Sequence, residues 1–118
     1  MEQLFFGDLI AVDTLLSSKQ LSNTSEKRIA IVVSANVVNE YAQAVIVCPL
    51  IHTPRFQHSR IGATFVPREI SGLAEHTTVN YFEITTIAKD TIGKRIGALP
   101  HVFLNEIKDS LKAIFDIG

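Results

Sequence analysis

The segment at residues 52–60, HTPRFQHSR, contains side chains that could act on a phosphodiester. An imidazole titrates near neutral pH, so His52 could serve as a general acid or base. The hydroxyl of Thr53, the next residue, could donate a hydrogen bond to a phosphate oxygen. The alternative is a polar loop whose side chains are only solvated, and for His52 the sequence leaves both interpretations open.

Positive charge and an aromatic ring share this segment. Its other basic residues, which would attract a phosphodiester backbone, are Arg55, His58 and Arg60. Phe56 could stack on an unpaired base. Because most charged loops are simply solvated, RNA binding by this cluster is a hypothesis that the sequence alone does not decide.

Arg28 is the strongest single candidate for holding a phosphate. It follows a polar stretch at residues 17–27, SSKQLSNTSEK, and begins a run of β-branched residues. The polar stretch has no usable periodicity and predicts a long loop, which in so small a domain is more often functional than idle. A guanidinium fixed at the end of such a loop could clamp a phosphate with two hydrogen bonds. On residue type alone, a surface arginine at a strand end is the commoner case.

The sequence lacks the spacings of metal sites and of serine hydrolases. The residues that could bind a metal, His52, His58, His76, His101 and Cys48, show none of the paired spacings of a zinc site. No Gly-x-Ser-x-Gly elbow supports a serine hydrolase. We therefore expect neither a metal nor a cofactor.

Length and composition limit the class of protein. A chain of 118 residues, 47% of them apolar, fits one domain over residues 1–118 with a core to bury. The net charge of −1 is far from that of a general nucleic-acid coat protein, so any RNA contact must come from a local cluster. No apolar run approaches the roughly 20 residues of a membrane helix, and the N-terminus lacks the basic and apolar regions of a secretory signal. A lone cysteine suits a reducing compartment, so we expect a cytoplasmic protein without membrane contact.

The hydrophobic pattern predicts five or six short strands and one helix. The strand segments are residues 8–13, 28–34, 44–50, 63–66, 77–81 and 84–87. Pro49 suggests that the third segment ends near an edge or a bulge. Residues 36–40 predict a helical turn that Asn36 could cap.

The C-terminal segment changes to a helical period after Pro100, a residue typical of helix starts. The apolar residues at this spacing are Leu104, Ile107, Leu111, Ile114 and Phe115. The expected fold class is therefore β-rich α+β, a strongly bent sheet or small barrel with one amphipathic C-terminal helix.

Four segments follow one another in a characteristic order. They are GDLIAVD at residues 7–13, a polar loop ending in Arg28 and IAIVVS, VIVCPL at residues 45–50, and GKRIG at residues 93–97 before a Leu-Pro helix start and NEIKDSLKAIF. This succession resembles the MazF/PemK/Kid family of toxin–antitoxin ribonucleases over nearly the whole chain. The resemblance implies an SH3-like small barrel with a C-terminal helix, assembled as a homodimer. It also implies metal-independent cleavage of single-stranded RNA to 2′,3′-cyclic phosphate and 5′-OH ends, and an antitoxin protein whose disordered tail blocks the dimer groove.

The resemblance also suggests roles for individual residues. Arg28 matches the family's loop-end arginine, which is associated with phosphate stabilisation. Within NYFEITTI at residues 80–87, Phe82 falls where many members carry an acid, and Thr85 where they carry a basic residue. Glu83 could have replaced that acid as the base, although a one-residue shift along a strand points a side chain to the opposite face.

The residue types and the family resemblance together predict one site. The expected catalytic residues are Arg28, His52 and Glu83. The expected substrate contacts are Thr53, Arg55, Phe56, Thr85 and Lys94, the last in a turn that leads into the final helix.

A binding-only function is the alternative that the sequence leaves open. The chain could be a catalytically degenerate member of the family, or a poison of a DNA topoisomerase similar to the related CcdB. CcdB acts through the end of its C-terminal helix, where an aromatic residue and a glycine are common, and here residues 115–118 close the chain with Phe115 and Gly118.

Overall fold

A computed structural model describes residues 3–13 and 28–117, so the loop predicted at residues 17–27 and the terminal Gly118 lie outside the described residues. The strands are β1 (Asp8–Val12), β2 (Arg28–Val32), β3 (Ala44–His52), β4 (Ala63–Val66), β5 (Thr77–Asn80), β6 (Thr85–Ala88) and β7 (Ile92–Ala98). The α-helices are α1 (Asn36–Tyr41), α2 (Arg68–Ser71) and α3 (His101–Ile114), and two 3₁₀ turns span Tyr81–Glu83 and Lys89–Thr91.

The strands form one antiparallel sheet. Neighbouring strands follow the order β4-β5-β3-β2-β1-β7, and β6 pairs with β3. The β-rich fold with a C-terminal helix is confirmed, whereas the hydrogen-bonded ladder of the described strands does not close on itself and leaves β4 and β7 at its two ends.

Strand β3 is the longest strand and pairs along both edges. Its first half, from Ala44 to Val47, lies against β6, and its last residues, from Leu50 to His52, lie against β5. The predicted end of this strand at Leu50, near an edge or a bulge that Pro49 suggested, is wrong, because β3 continues to His52. Pro49 lies opposite Ala30 of β2, at the point where the other edge changes from β6 to β5, so its missing N–H interrupts neither of those ladders.

The sheet buries apolar side chains on both faces. One cluster contains Leu4, Ile10, Val12, Ala30, Val32, Val45, Val47, Ile87 and Ile92. The other contains Leu9, Ile31, Cys48, Val66, Val79, Tyr81, Leu99 and Ile107, and the apolar stripe predicted for α3 packs against it through Leu104, Leu111 and Ile114. The inclusion of Phe115 in this stripe is wrong, because Phe115 is the C-cap residue and is 51% exposed. Helix α3 therefore covers one face of the sheet, as the helical spacing predicts.

A glycine brings α3 close to the sheet. Gly7 adopts a φ of +92°, and a Cβ at this position would clash with the Leu104 side chain. Its N–H donates to the Val32 carbonyl at 2.7 Å, and its own carbonyl accepts from the Leu99 N–H at 3.2 Å. The backbone at Gly7 thus ties the first strands to the start of the C-terminal helix.

The cap predicted for α1 is wrong, although the helical turn itself is confirmed. Ala35 is the N-cap residue, and Asn36 is already the first residue of the helix. The Asn36 side-chain oxygen instead accepts a hydrogen bond from the Phe6 N–H at 2.8 Å. A tertiary partner has therefore replaced the local one.

Asp8 carries a buried charge beside the Gly7 turn. Its side chain is 2% exposed, and Oδ2 lies 3.1 Å from Nε of Arg95, whose side chain is 34% exposed. The same oxygen accepts the Phe5 N–H at 2.7 Å. This carboxylate therefore links β1, β7 and the N-terminal segment in one polar contact.

We expect Asp8→Ala to lower the free energy of unfolding by about 1–3 kcal/mol, because it leaves the Arg95 guanidinium and the Phe5 N–H without their acceptor. Asp8→Asn keeps one acceptor oxygen and should lose less. Urea denaturation measures the difference. Asp109→Ala, an exposed position on α3, is the control and should change stability by less than about 0.5 kcal/mol. Equal stability of Asp8→Ala and the parent would contradict a structural role for the ion pair.

Candidate active site

The neighbouring ends of β2 and β3 border a cavity of about 410 Å³. Its lining residues are Arg28, Ile29, Leu50, His52, Leu73, Ala74, Glu75 and Thr77. Because β2 and β3 are antiparallel, the first residue of β2 and the last residue of β3 lie at the same end of the sheet. The structure thus brings together Arg28 and His52, two of the three predicted catalytic residues.

The cavity has an apolar wall and an ionisable rim. Leu50 and Leu73 are half-buried side chains of the wall. Arg28 is half-buried at its strand start, whereas His52 and Glu75 are exposed to solvent. A fixed cation, an imidazole and a carboxylate therefore share one concave surface, which is a set that can move protons and stabilise developing negative charge.

Sequence reasoning missed Glu75 and Thr77. Thr77 lies opposite His52 in the β3–β5 ladder, and Glu75 precedes it by two residues. No local pattern around LAEHTT distinguishes this carboxylate from an ordinary loop residue. The only signal for it is the pairing register of β5 with β3, which the sequence does not reveal.

A second cavity, of about 320 Å³, lies across the end of β3. Its lining residues are Ile51, Thr53, Gln57, Arg60, Ile61, Gly62, Ala63, Thr78, Val79, Asn80 and Phe82. Side chains alternate between the two faces of a strand, so His52 borders the first cavity while Ile51 and Thr53 border the second. The two residues proposed from one segment are therefore separated by the sheet.

Thr53 is buried and its hydroxyl is already hydrogen-bonded. Oγ1 donates to the Ile51 carbonyl at 3.0 Å and lies 2.7 Å from the Thr78 hydroxyl. Its backbone N–H donates to the His76 carbonyl at 2.9 Å. These bonds hold the end of β3 to β5, so the contact between Thr53 and a phosphate stays a prediction.

Phe56 is the exposed ring that the sequence suggests for base stacking. Its side chain is 67% exposed. The rings of His58 and Phe65 meet it edge-on at centroid distances of 5.1 and 5.2 Å. Arg55 next to it is exposed as well. The ring is thus fixed by its neighbours while one side remains available to a ligand.

Glu83 lies in a 3₁₀ turn and not on a strand, so the argument from strand faces does not apply to it. The Asn80 amide caps this turn: its oxygen accepts the Phe82 N–H at 3.1 Å, and its Nδ2 donates to Glu83 Oε1 at 2.9 Å. Glu83 is not among the residues that line either cavity. The predicted grouping of Glu83 with Arg28 and His52 is therefore not formed within this chain.

Thr85 and Lys94 also lie apart from the Arg28 cavity. Thr85 is half-buried and pairs with Val47 in the β3–β6 ladder. Lys94 is exposed and pairs with Ala11, on a strand that β1 and β2 separate from β3. The turn predicted around Lys94 is wrong, because Ile92–Ala98 is strand β7. This strand pairs with β1, and the pairing contains two register shifts.

A model of the PemK-like, MazF-like toxins of type II toxin–antitoxin systems matches residues 6–115. The chain belongs to this toxin family. A comparison with curated protein sequences gives no significant match.

Solved structures show the same fold. A mycobacterial endoribonuclease superposes with a TM-score of 0.74 at 19% identity, covering 99% of this chain and 95% of that one. An endoribonuclease in complex with its cognate antitoxin, also mycobacterial, gives 0.69 at 18% identity and covers 100% and 98%. A MazE–MazF complex from Deinococcus radiodurans gives 0.72 at 14% identity, covering 100% of both chains.

Two negative observations apply to the described part of the chain. Within residues 3–13 and 28–117, no three His, Cys, Asp or Glu side chains are grouped so that they could hold a metal ion. No helix in these ranges is long and apolar enough to cross a membrane.

Two ionisable side chains of the core, Cys48 and Tyr81, are held in their neutral forms. Burial raises the pKa of the Cys48 thiol to about 12. Burial likewise raises the pKa of Tyr81 to about 12, although its hydrogen bond with Thr64, at 2.6 Å, acts in the opposite direction. Neither side chain is ionised near neutral pH, so neither can serve there as a nucleophile or base.

We expect Cys48, the only cysteine of the chain, to react with a disulfide reagent such as Ellman's reagent only when the protein opens. The thiol is 0% exposed, and the raised pKa keeps it protonated at pH 8. The measurement is the rate of thiol release in native buffer and in denaturant. A native rate comparable to the denatured rate would contradict this burial.

The raised pKa of Cys48 also predicts how stability depends on pH. Above about pH 9 the unfolded thiol ionises while the folded one does not, so the free energy of unfolding should fall as the pH rises.

Proposed function

We propose that this toxin-family chain is an endoribonuclease that cleaves single-stranded RNA without a metal ion. In this reaction the ribose 2′-OH attacks the adjacent phosphate, and the products are a 2′,3′-cyclic phosphate and a 5′-OH. The observation that carries the proposal is the cavity that Arg28 and His52 share in a member of this family. Two of the structures with the same fold are mycobacterial endoribonucleases, which supports the same class of activity here.

Arg28 would stabilise the charge of the transition state. A guanidinium carries a permanent positive charge and can donate two parallel hydrogen bonds to phosphate oxygens. Arg28 is half-buried at the start of β2 and lines the cavity, so its position beside a bound phosphate would be set by the sheet. Such preorganised charge stabilises a phosphorane more than the ground state, which is the condition for catalysis.

His52 would transfer a proton in the same cavity. Its ring borders the cavity from the end of β3 and is exposed to solvent, so it can exchange protons with water between turnovers. Position-specific proton transfer by a histidine typically contributes about 10²–10⁴-fold to a rate.

The charge and the aromatic ring of one exposed segment support single-stranded RNA as the substrate class. Single-stranded RNA is bound through cationic side chains and aromatic faces that hold splayed bases. Residues 52–60 contain Arg55, His58 and Arg60 but no acidic residue, and Phe56 exposes an aromatic ring within this segment. These residues would hold the strand on either side of the cut.

The assembly that we propose is a cytoplasmic homodimer inhibited by an antitoxin protein. Two of the structures with the same fold are complexes with antitoxins, which supports such a partner. The chain also exposes large apolar side chains that an assembly could cover, among them Phe5, Tyr41, Ile61, Phe82 and Val102.

Arg28→Ala should lower the cleavage rate of a long single-stranded RNA in EDTA by about 10²–10³-fold, because it removes the charge that the transition state needs. Arg28→Lys keeps the charge without the paired hydrogen bonds and should retain an intermediate rate. Arg68→Ala is the matched control, since Arg68 is exposed, pairs with Glu69 at 3.7 Å and does not line the cavity. Mapping of 5′-OH ends measures the effect.

Full activity of Arg28→Ala in this assay would exclude the proposed role of the cavity. His52→Ala tests the second group in the same way, with His101→Ala as its exposed control at the first residue of α3.

A topoisomerase poison is the second candidate. It is favoured by the exposure of Phe115 and Ile117, at 51% and 64%, close to the C-terminus. Removing residues 117–118 should then abolish inhibition of gyrase-dependent supercoiling and leave RNA cleavage unchanged. Cleavage without any effect on supercoiling by the full chain would exclude this candidate.

A further inference from the structure

Glu75 is the third ionisable group of the Arg28–His52 cavity. Cleavage by a 2′-OH needs a base for the attacking hydroxyl, an acid for the leaving oxygen and a cation for the phosphorane. We propose that Glu75 is the general base and His52 the general acid, an assignment that rests on the ribonuclease function proposed above. It replaces Glu83, whose carboxylate lies outside this cavity.

The β3–β5 ladder brings the segment that carries Glu75 to the end of β3. Thr77 lies directly opposite His52, and Glu75 precedes Thr77 by two residues, just outside the paired strand. Both Glu75 and His52 line the cavity that Arg28 borders. Two proton-transferring groups in one cavity can act on the attacking and the leaving oxygen of the same phosphate.

The residue that follows Glu75, His76, is held in place by two hydrogen bonds. The His76 carbonyl accepts the Thr53 N–H at 2.9 Å, which fastens the segment to the end of β3. His76 Nδ1 accepts the Arg68 N–H at 3.0 Å, and its ring lies 5.5 Å from Phe65. His76 therefore has a structural role, and its exposed neighbour Glu75 is left to face the cavity.

Glu75 and His52 account for both protons that move in this step. The Glu75 carboxylate takes the 2′-OH proton as the bond between O2′ and phosphorus forms. The bond between phosphorus and O5′ breaks, and the His52 imidazolium gives its proton to O5′. Arg28 donates to the non-bridging oxygens throughout, and exchange with water restores both protonation states.

A leaving group that needs no acid separates the two roles. An RNA in which sulfur replaces O5′ at the mapped cut releases a thiolate, and because thiols have a pKa of about 8.5 this group leaves without being protonated. Single-turnover cleavage of this RNA and of the normal RNA is compared for the parent, Glu75→Gln and His52→Ala. Glu69→Gln is the matched control, since Glu69 is an exposed glutamate of α2 that does not line the cavity.

We expect Glu75→Gln to lose about 10²–10⁴-fold in rate on both RNAs, because each still needs its 2′-OH deprotonated. His52→Ala should lose a similar factor on the normal RNA and recover to within about tenfold of the parent on the sulfur RNA. The affinity of Glu75→Gln for RNA with a 2′-deoxy residue at the cut should be unchanged.

Each other outcome overturns a defined part of the proposal. Glu75→Gln as active as Glu69→Gln overturns the role of Glu75 and leaves the ribonuclease proposal standing. Rescue of Glu75→Gln, and not of His52→Ala, by the sulfur RNA reverses the acid and the base. A loss confined to affinity would make Glu75 a binding residue only. No cleavage of either RNA by the folded parent overturns both proposals.

Discussion

Strand β3 is hydrogen-bonded along both edges, and most of the functional geometry depends on this arrangement. One edge lies against β2. The other edge lies against β6 and then against β5, two strands that the 3₁₀ turn at Tyr81–Glu83 separates. A strand held on both sides has a fixed register, so a shift by one residue would move every side chain to the wrong face. At its last residues the same rule sends His52 to one cavity and Thr53 to the other.

The cavity beside Arg28 is built from three segments that are distant in the sequence. Arg28 begins β2, His52 ends β3, and Glu75 precedes β5. The core on both sides of the sheet supplies the free energy that holds these ends together, because each strand buries apolar side chains next to the cavity. The ionisable residues themselves remain at the rim, where desolvation costs least.

The sequence departs from the family pattern in a 3₁₀ turn that Asn80 caps. Phe82, at the position of the family's acid, is 74% exposed. Its ring lies against Gly62, where an added Cβ would be 2.6 Å from the ring. Asn80 and Glu83 are hydrogen-bonded to each other beneath it. This turn forms a rigid aromatic edge of the second cavity, and the carboxylate that shares a cavity with Arg28 comes from another loop.

Much of the fold could be predicted from the sequence, because local patterns carry it. Alternating and continuous apolar runs placed the strands, and the helical spacing after Pro100 predicted α3 and its packing stripe. The order of these segments was enough to suggest the family, which the match over residues 6–115 confirms. The candidate site was predicted only in part: Arg28 and His52 share a cavity, while Lys94 lies on a strand beyond β1 and β2.

The sequence by itself determined most of the strands and the C-terminal helix, since these follow from the spacing of apolar side chains along a few neighbouring residues. It did not reveal β7, whose residues carry no such pattern and were predicted as a turn. Only the tertiary structure decided which loop residues meet. The register of β5 on β3 brings Glu75 to His52, and the Asn80 cap turns Glu83 away from them. Pairing between distant strands depends on the packing of the whole core, so no short stretch of sequence contains it.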